Sequence, residues 1–381
     1  MVYNFALSFA FSLLVIFFSC QDKEGNNVLA GGEKETADTI FTLKDYYSDN
    51  PSLEAKVNEI YNSISDGEKV AQLIISSGGS NGKSNGEIKS LISEGVIGGT
   101  ILLGGSKDEF VQLTADLQNT AVNNSRLPLI ISTDGEPSLI NRKIAGIQEF
   151  PKSNTITTEE ESRSMASEIC MLLNEMGINQ NYAPVCDYGY NQDIISNRSF
   201  GGLETNVGNL ASAFIKASQE NGVIATAKHF PGHGNVSGDS HNKVVYINGE
   251  MEELNIFQSA IDAGVISVMA GHIAVKNNPS YNTNGLPATL SNNIITGLLR
   301  EEMGFKGLVV TDGMNMGAVT KISNASYKAF IAGCDLILME PNERNLHSKI
   351  LGAMKSDKEV LARVEESAKR IIKAKICLGL L

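Results

Sequence analysis

The stretch Lys228-His229-Phe230-Pro231-Gly232-His233-Gly234-Asn235-Val236-Ser237-Gly238-Asp239-Ser240-His241 holds three of the chain's five histidines. His229 and His233 have the spacing of a helical metal pair, but Pro231, Gly232 and Gly234 forbid a helix there and weaken that reading. Asp239 lies two residues before His241 in a glycine-rich segment. A carboxylate beside an imidazole orients the ring and raises its basicity, which suits a general acid/base. A surface histidine with no role fits the same spacing.

Such groups need a scaffold. Short apolar runs recur along the chain: Leu73–Ile75, Thr100–Leu103, Leu127–Ile131, Asn181–Val185, Val223–Ala227, Ile266–Met269, Leu308–Val310 and Leu336–Leu338. Between them lie helical stripes. Met165, Ile169, Leu172, Leu173 and Met176 share one face, as do Val207, Leu210, Ala211, Phe214 and Ile215, and again Ile294, Ile295, Leu298, Leu299 and Met303. Ser65 and Glu68 have capping-box spacing and predict a helix just before the first strand. Continuous apolar strands alternating with amphipathic helices imply a parallel sheet covered by helices. Eight such units predict an α/β fold, a closed (β/α)8 TIM barrel forming a single catalytic domain over residues 46–381. In that fold, chemistry gathers at the C-terminal strand ends. The residues there are Asp134, Asp187, Lys228 with His229, His272 and Asp312.

A net charge of −12 argues against a nucleic-acid partner, since that binding rests on basic residues neutralising phosphates. Cys170, Cys186, Cys334 and Cys377 form no CxxC pair and read as small buried hydrophobes. Cys20 stands apart. It ends the apolar run Phe5–Phe18 after Ser19, and the polar Gln21–Asn27 follows. The run is short for a membrane span and suits a signal peptide over residues 1–20. A small residue before a cysteine resembles a bacterial lipobox. Lipidation at Cys20 is then expected, giving an exported lipoprotein of the cell envelope whose only membrane contact is that anchor. Residues 21–45 read as a tether.

Lys-His-Phe-Pro-Gly-His-Gly followed by Asp-Ser-His resembles the signature of the β-N-acetylglucosaminidases of glycoside hydrolase family 3 (NagZ-like enzymes). Asp134-Gly135-Glu136 with Arg142, Ala183–Asp187, Arg198–Gly201 and Pro287–Ser291 through Gly304–Met314 are similar to further family markers, in the family's order. The resemblance runs from about Ser65 to the C-terminus. It implies a retaining mechanism with Asp312 as nucleophile, and His241 held by Asp239 as acid/base. It assigns Asp134, Arg142, Arg198, Lys228 and His229 to the sugar hydroxyls and N-acetyl group. His272 matches a strand-end histidine of the family, with packing an equal alternative. The implied partner is a small carbohydrate, a terminal β-linked N-acetylhexosamine on an oligosaccharide or peptidoglycan fragment. No metal and no organic cofactor is implied. The chain departs from the pattern at Pro137-Ser138, at Leu139 where many members carry Arg, at Asn235-Val236 and at Asn242-Lys243-Val244.

Rival readings share parts of this pattern. A β-glucosidase of the family has the barrel without the histidine loop, and a sugar-binding lipoprotein without turnover would have no use for a nucleophile. Ser77–Ser84 nearly spells a phosphate-binding loop, but Ser77 takes the place of its first glycine, and a flexible strand-to-helix loop is the plainer reading.

Overall fold

A computed structural model describes residues 40–189, 195–200, 204–236, 238–240 and 242–381. Cys20 and the expected signal and tether up to Thr39 lie outside the described residues. The tether gives way to the folded body earlier than residue 46, because Phe41 and Leu43 are themselves buried in the core. The Tyr47 hydroxyl then donates to the Val265 carbonyl at 2.6 Å, fastening this entry segment to the barrel floor.

The eight predicted strands form. They are β1 (Ile74–Gly78), β2 (Gly99–Leu102), β3 (Ile130–Thr133), β4 (Gln180–Asn181), β5 (Ile224–Phe230), β6 (Ser267–Ala270), β7 (Leu308–Thr311) and β8 (Ile337–Leu338). Each is parallel to its neighbours in chain order, and β8 pairs with β1 through Ile74–Ile337 and Ile75–Leu338. The parallel bridge Val310–Leu336 brings β7 to β8 and completes the ring. Every residue of these strands is buried, so most show no apolar–polar alternation, although β4 is the polar pair Gln180-Asn181.

The helical stripes pack as their periodicity predicts. Ile169 and Leu173 on Glu159–Glu175 are buried, as are Val207, Leu210, Phe214 and Ile215 on Glu204–Glu220. Each such side chain contributes about 1.5–3 kcal/mol of burial. The stripe Ile294, Ile295, Leu298 and Leu299 is also buried, but Asn293–Glu302 winds as a π-helix. Ser65 caps the helix Asp66–Ala71 by accepting the Glu68 N–H at 3.2 Å, as the spacing predicts. The four described cysteines are buried and free, and burial pushes the Cys170 and Cys334 thiols up to about 12.

Two buried polar clusters fix the floor. Asp335 accepts from Arg300 at 2.6 Å, Arg363 at 3.0 Å and Arg370 at 3.2 Å, tying the C-terminal helix Lys358–Cys377 to the start of β8. Burial alone would push the Asp335 carboxyl up, yet the guanidinium groups outweigh it and hold the group far below the carboxylate range. Lys375, fully buried, donates to Gln72 Oε1 at 2.5 Å and to the Gly98 carbonyl at 3.1 Å.

Candidate active site

At the C-terminal rim, β4 sets the first turn of the site. Asn181 Oδ1 accepts the Gly135 N–H at 2.8 Å, and its Nδ2 donates to the Gly135 carbonyl at 3.2 Å. A Cβ on Gly135 would lie 2.8 Å from Asn181 Oδ1, so only glycine lets the chain pass between Asp134 and Glu136. Pro137 opens the following helix Pro137–Lys143, where a missing N–H costs nothing. Ser138 Oγ donates to the Asn197 carbonyl at 2.5 Å, tying this turn to the segment that carries Arg198. Both family departures therefore have structural work, and Leu139 beside them is buried.

Those ties assemble an ion cluster. Lys228 Nζ lies 3.0 Å from Asp134 Oδ1 and 2.5 Å from Glu136 Oε1. Arg198 meets Glu136 through Nε–Oε2 at 2.8 Å and Nη2–Oε1 at 2.7 Å. Burial pushes the Glu136 carboxyl up, but Arg198 and then Lys228 outweigh it and bring it down to about 2. Burial works against the Lys228 ammonium too, and the two carboxylates more than compensate, leaving its pKa raised. Asp134 is partly exposed and is held below its usual range by Lys228 and Lys143 against the cost of burial. The cluster thus offers charged groups, already oriented, to a polar uncharged ligand.

Asp187 organises the neighbouring strand end. Its Oδ2 lies 2.6 Å from His229 Nδ1, while its Oδ1 accepts the main-chain N–H of His229 at 3.1 Å and of His233 at 2.8 Å. Burial raises this carboxyl, and the His229 contacts lower it further than burial raises it. Glu253 Oε1 accepts the N–H groups of Tyr188 at 2.8 Å and Gly234 at 2.9 Å. Burial, then the charge of Asp187, pushes the Glu253 carboxyl well above its usual value. Among the described residues, no group of three or more His, Cys, Asp and Glu side chains is arranged to hold a metal ion.

Asp312 stands at the end of β7, half-buried. Its N–H donates to the Ala270 carbonyl at 2.9 Å, and its Oδ1 accepts the Gly313 N–H at 2.7 Å. His272 is fully buried beneath it. Nε2 donates to the Gly313 carbonyl at 3.1 Å, and Nδ1 lies 2.9 Å from Thr289 Oγ1. His272 therefore braces the turn that carries Asp312. Such a half-buried carboxylate at a barrel strand end is placed to meet a ligand from above.

Residues 66–374 match the glycosyl hydrolase family 3 N terminal domain. The chain belongs to that family. It is 31% identical over 263 residues to a beta-hexosaminidase of Vibrio cholerae serotype O1, covering 66% of this chain and 78% of the relative. It is 34% identical over 292 residues to beta-hexosaminidase A of Pseudoalteromonas piscicida, 68% of this chain and 48% of that longer protein. The fold superposes on a glycoside hydrolase family 3 beta-N-acetylglucosaminidase from Paenibacillus sp. with a TM-score of 0.76 and 31% identity, over 83% of this chain and 63% of that one. A family 3 glycosidase acts on carbohydrate, and the barrel rim is where this one presents its polar groups.

The family 3 barrel brings Asp134, Arg198, Lys228 and His229 to one rim, but treats Arg142 differently. Arg142 is exposed on the last turn of its helix, and it is the next residue, Lys143, that lies 3.5 Å from Asp134 Oδ2. Asp239 is half-buried and accepts from Asn242 Nδ2 at 2.9 Å. His241 lies outside the described residues. In the phosphate-loop look-alike, Lys83 Nζ is paired with Glu87 and Glu343, each at 3.2 Å, so its ammonium serves the loop itself.

Three carboxylates central to this rim are absent from the sequence-based assignment of roles: Glu136, Asp187 and Glu253. Glu136 and Asp187 stood at or beside predicted strand ends, a signal that marked their position without their partners. Glu253 precedes the helix Leu254–Asp262 and looks from sequence like a solvated first-turn acid.

Proposed function

We propose that this family 3 glycosidase removes terminal β-linked N-acetylhexosamine from oligosaccharides or peptidoglycan fragments by a retaining mechanism. Asp312 attacks the anomeric carbon as the glycosidic C–O bond breaks, and His241, oriented by Asp239, gives its proton to the leaving oxygen. Water then loses a proton to His241, attacks the same carbon and frees the Asp312 carboxylate. Asp134, Arg198, Lys228 and His229, joined by Arg142 when sugar is bound, hold the hydroxyls and the N-acetyl group. The observation that carries this reading is the braced Asp312 carboxylate on the rim that also bears the paired Asp134, Glu136, Arg198 and Lys228. The relatives named beta-hexosaminidase support the choice of sugar.

The test is release of nitrophenol from the β-N-acetylglucosaminide and the β-glucoside by the wild type, Asp312→Ala and His241→Ala. Turnover of the N-acetyl substrate, lost in Asp312→Ala and reduced in His241→Ala, is expected. Activity on the glucoside alone overturns the sugar assignment. Tight sugar binding without turnover of either overturns the catalytic one. We propose in addition that Cys20 is lipidated and anchors the exported enzyme to the cell envelope; palmitate labelling that persists in Cys20→Ala would sink this.

A further inference from the structure

The histidine His233 has no part in the steps above, and a buried histidine with satisfied nitrogens is ordinarily packing. Its partners distinguish it. His233 Nε2 lies 2.9 Å from Ser240 Oγ, and both side chains are buried. Ser240 is the residue between Asp239 and His241. The main chain of His233 is fixed independently, its N–H donating to Asp187 Oδ1 at 2.8 Å. On either side the turn is wedged: a Cβ on Gly232 would meet Glu253 Oε2 at 2.1 Å, and one on Gly234 would meet the Tyr188 carbonyl oxygen at 2.0 Å. Gly234 also donates its N–H to Glu253 Oε1. A strand-end turn therefore reaches across seven residues and meets the far arm of the loop through a buried hydrogen bond.

We propose that His233 is a positioning residue for the acid/base pair: its bond to Ser240 fixes the main chain next to Asp239, the residue assigned to orient His241. The inference rests on the assignment of His241 and Asp239 above. Burial, the largest influence on its ring, lowers the His233 pKa and so favours the neutral imidazole.

The consequence is specific to the leaving group. A sugar leaving group needs its oxygen protonated, whereas a dinitrophenolate leaves without help. The experiment compares wild type, Ser240→Ala and His233→Gln on chitobiose and on 2,4-dinitrophenyl β-N-acetylglucosaminide. General acid catalysis contributes roughly 10²–10⁴-fold, so kcat/KM for chitobiose should fall about 10- to 100-fold when the pair is loosened. For the dinitrophenyl substrate kcat/KM should hold within about 3-fold, because that ratio reports the step needing no acid. Its kcat should fall and recover with azide, a nucleophile that needs no base. Ser240→Ala removes only a hydroxyl, so it carries the test if His233→Gln does not fold. A parallel fall for both substrates, or no fall for either, overturns the positioning role while leaving the hexosaminidase reading intact. A wild type inert on both substrates overturns the two together.

Discussion

Arg198 and Glu136, 62 residues apart in sequence, meet in a two-point grip that buries the Glu136 carboxylate almost completely. Lys228 closes on the same carboxylate from β5. Three segments of the barrel rim thus share one buried negative charge. An interior pair of this kind is weak evidence for stability, but removing Glu136 takes away a buried carboxylate that both cations are held against. The arrangement makes Glu136 the hinge-pin for two residues assigned to hold sugar.

Glu136→Gln should therefore lose about 3–5 kcal/mol of stability at neutral pH, read from urea unfolding. The sign of its pH dependence follows from the lowered carboxyl. A group depressed from 4.5 to about 2 stabilises the fold above its unfolded value, and that stabilisation is lost as pH falls through about 2. The gap between wild type and variant should accordingly narrow from pH 5 towards pH 2, on the order of 3 kcal/mol in all. A gap constant with pH would mean that the carboxylate charge is not what the rim depends on.

The barrel was legible because strand burial and helix periodicity are local signals. Leu308–Val310 or Val207–Ile215 announces its element within a few residues. The strand-end placement of Asp134, Lys228 and Asp312 followed from the fold. What sequence could not show was pairing at long range: nothing near Glu136 marks Arg198 as its partner, and nothing near Glu253 marks Gly234. Charged residues normally sit in water, so Asp335 and Lys375, whose burial is decided by elements far away in sequence, gave no warning.

Arg142 separates binding from folding more cleanly than its neighbours. It is exposed, and among the described residues it makes no hydrogen bond or ion pair, so the resting fold does not lean on it. Lys143, against Asp134, does contribute to the resting rim. Arg142→Ala should leave the melting temperature within about 1 °C, consistent with a surface change worth under about 0.5 kcal/mol, yet raise KM for the N-acetyl substrate. An unchanged KM would remove Arg142 from the sugar site and leave Lys228 and Lys143 as the cations against Asp134.

Lys375 should make the floor of the barrel sensitive to alkali in an unusual direction. Burial brings its amine down from 10.5 to about 7, with Glu68 opposing only in part. Between those values the unfolded chain binds a proton that the folded chain does not, so stability rises with pH through this window. Over pH 7–9, below the ordinary range of the tyrosines, the gain approaches about 2–3 kcal/mol. Lys375→Met fits the same cavity without a charge, though it leaves Gln72 Oε1 and the Gly98 carbonyl without that donor. The variant should lose the rise and should differ least from wild type, or be the more stable, at the low end of the window. Urea unfolding of both proteins at pH 7, 8 and 9 decides it. A wild type whose stability is flat across those points would show that Lys375 keeps its proton inside the core.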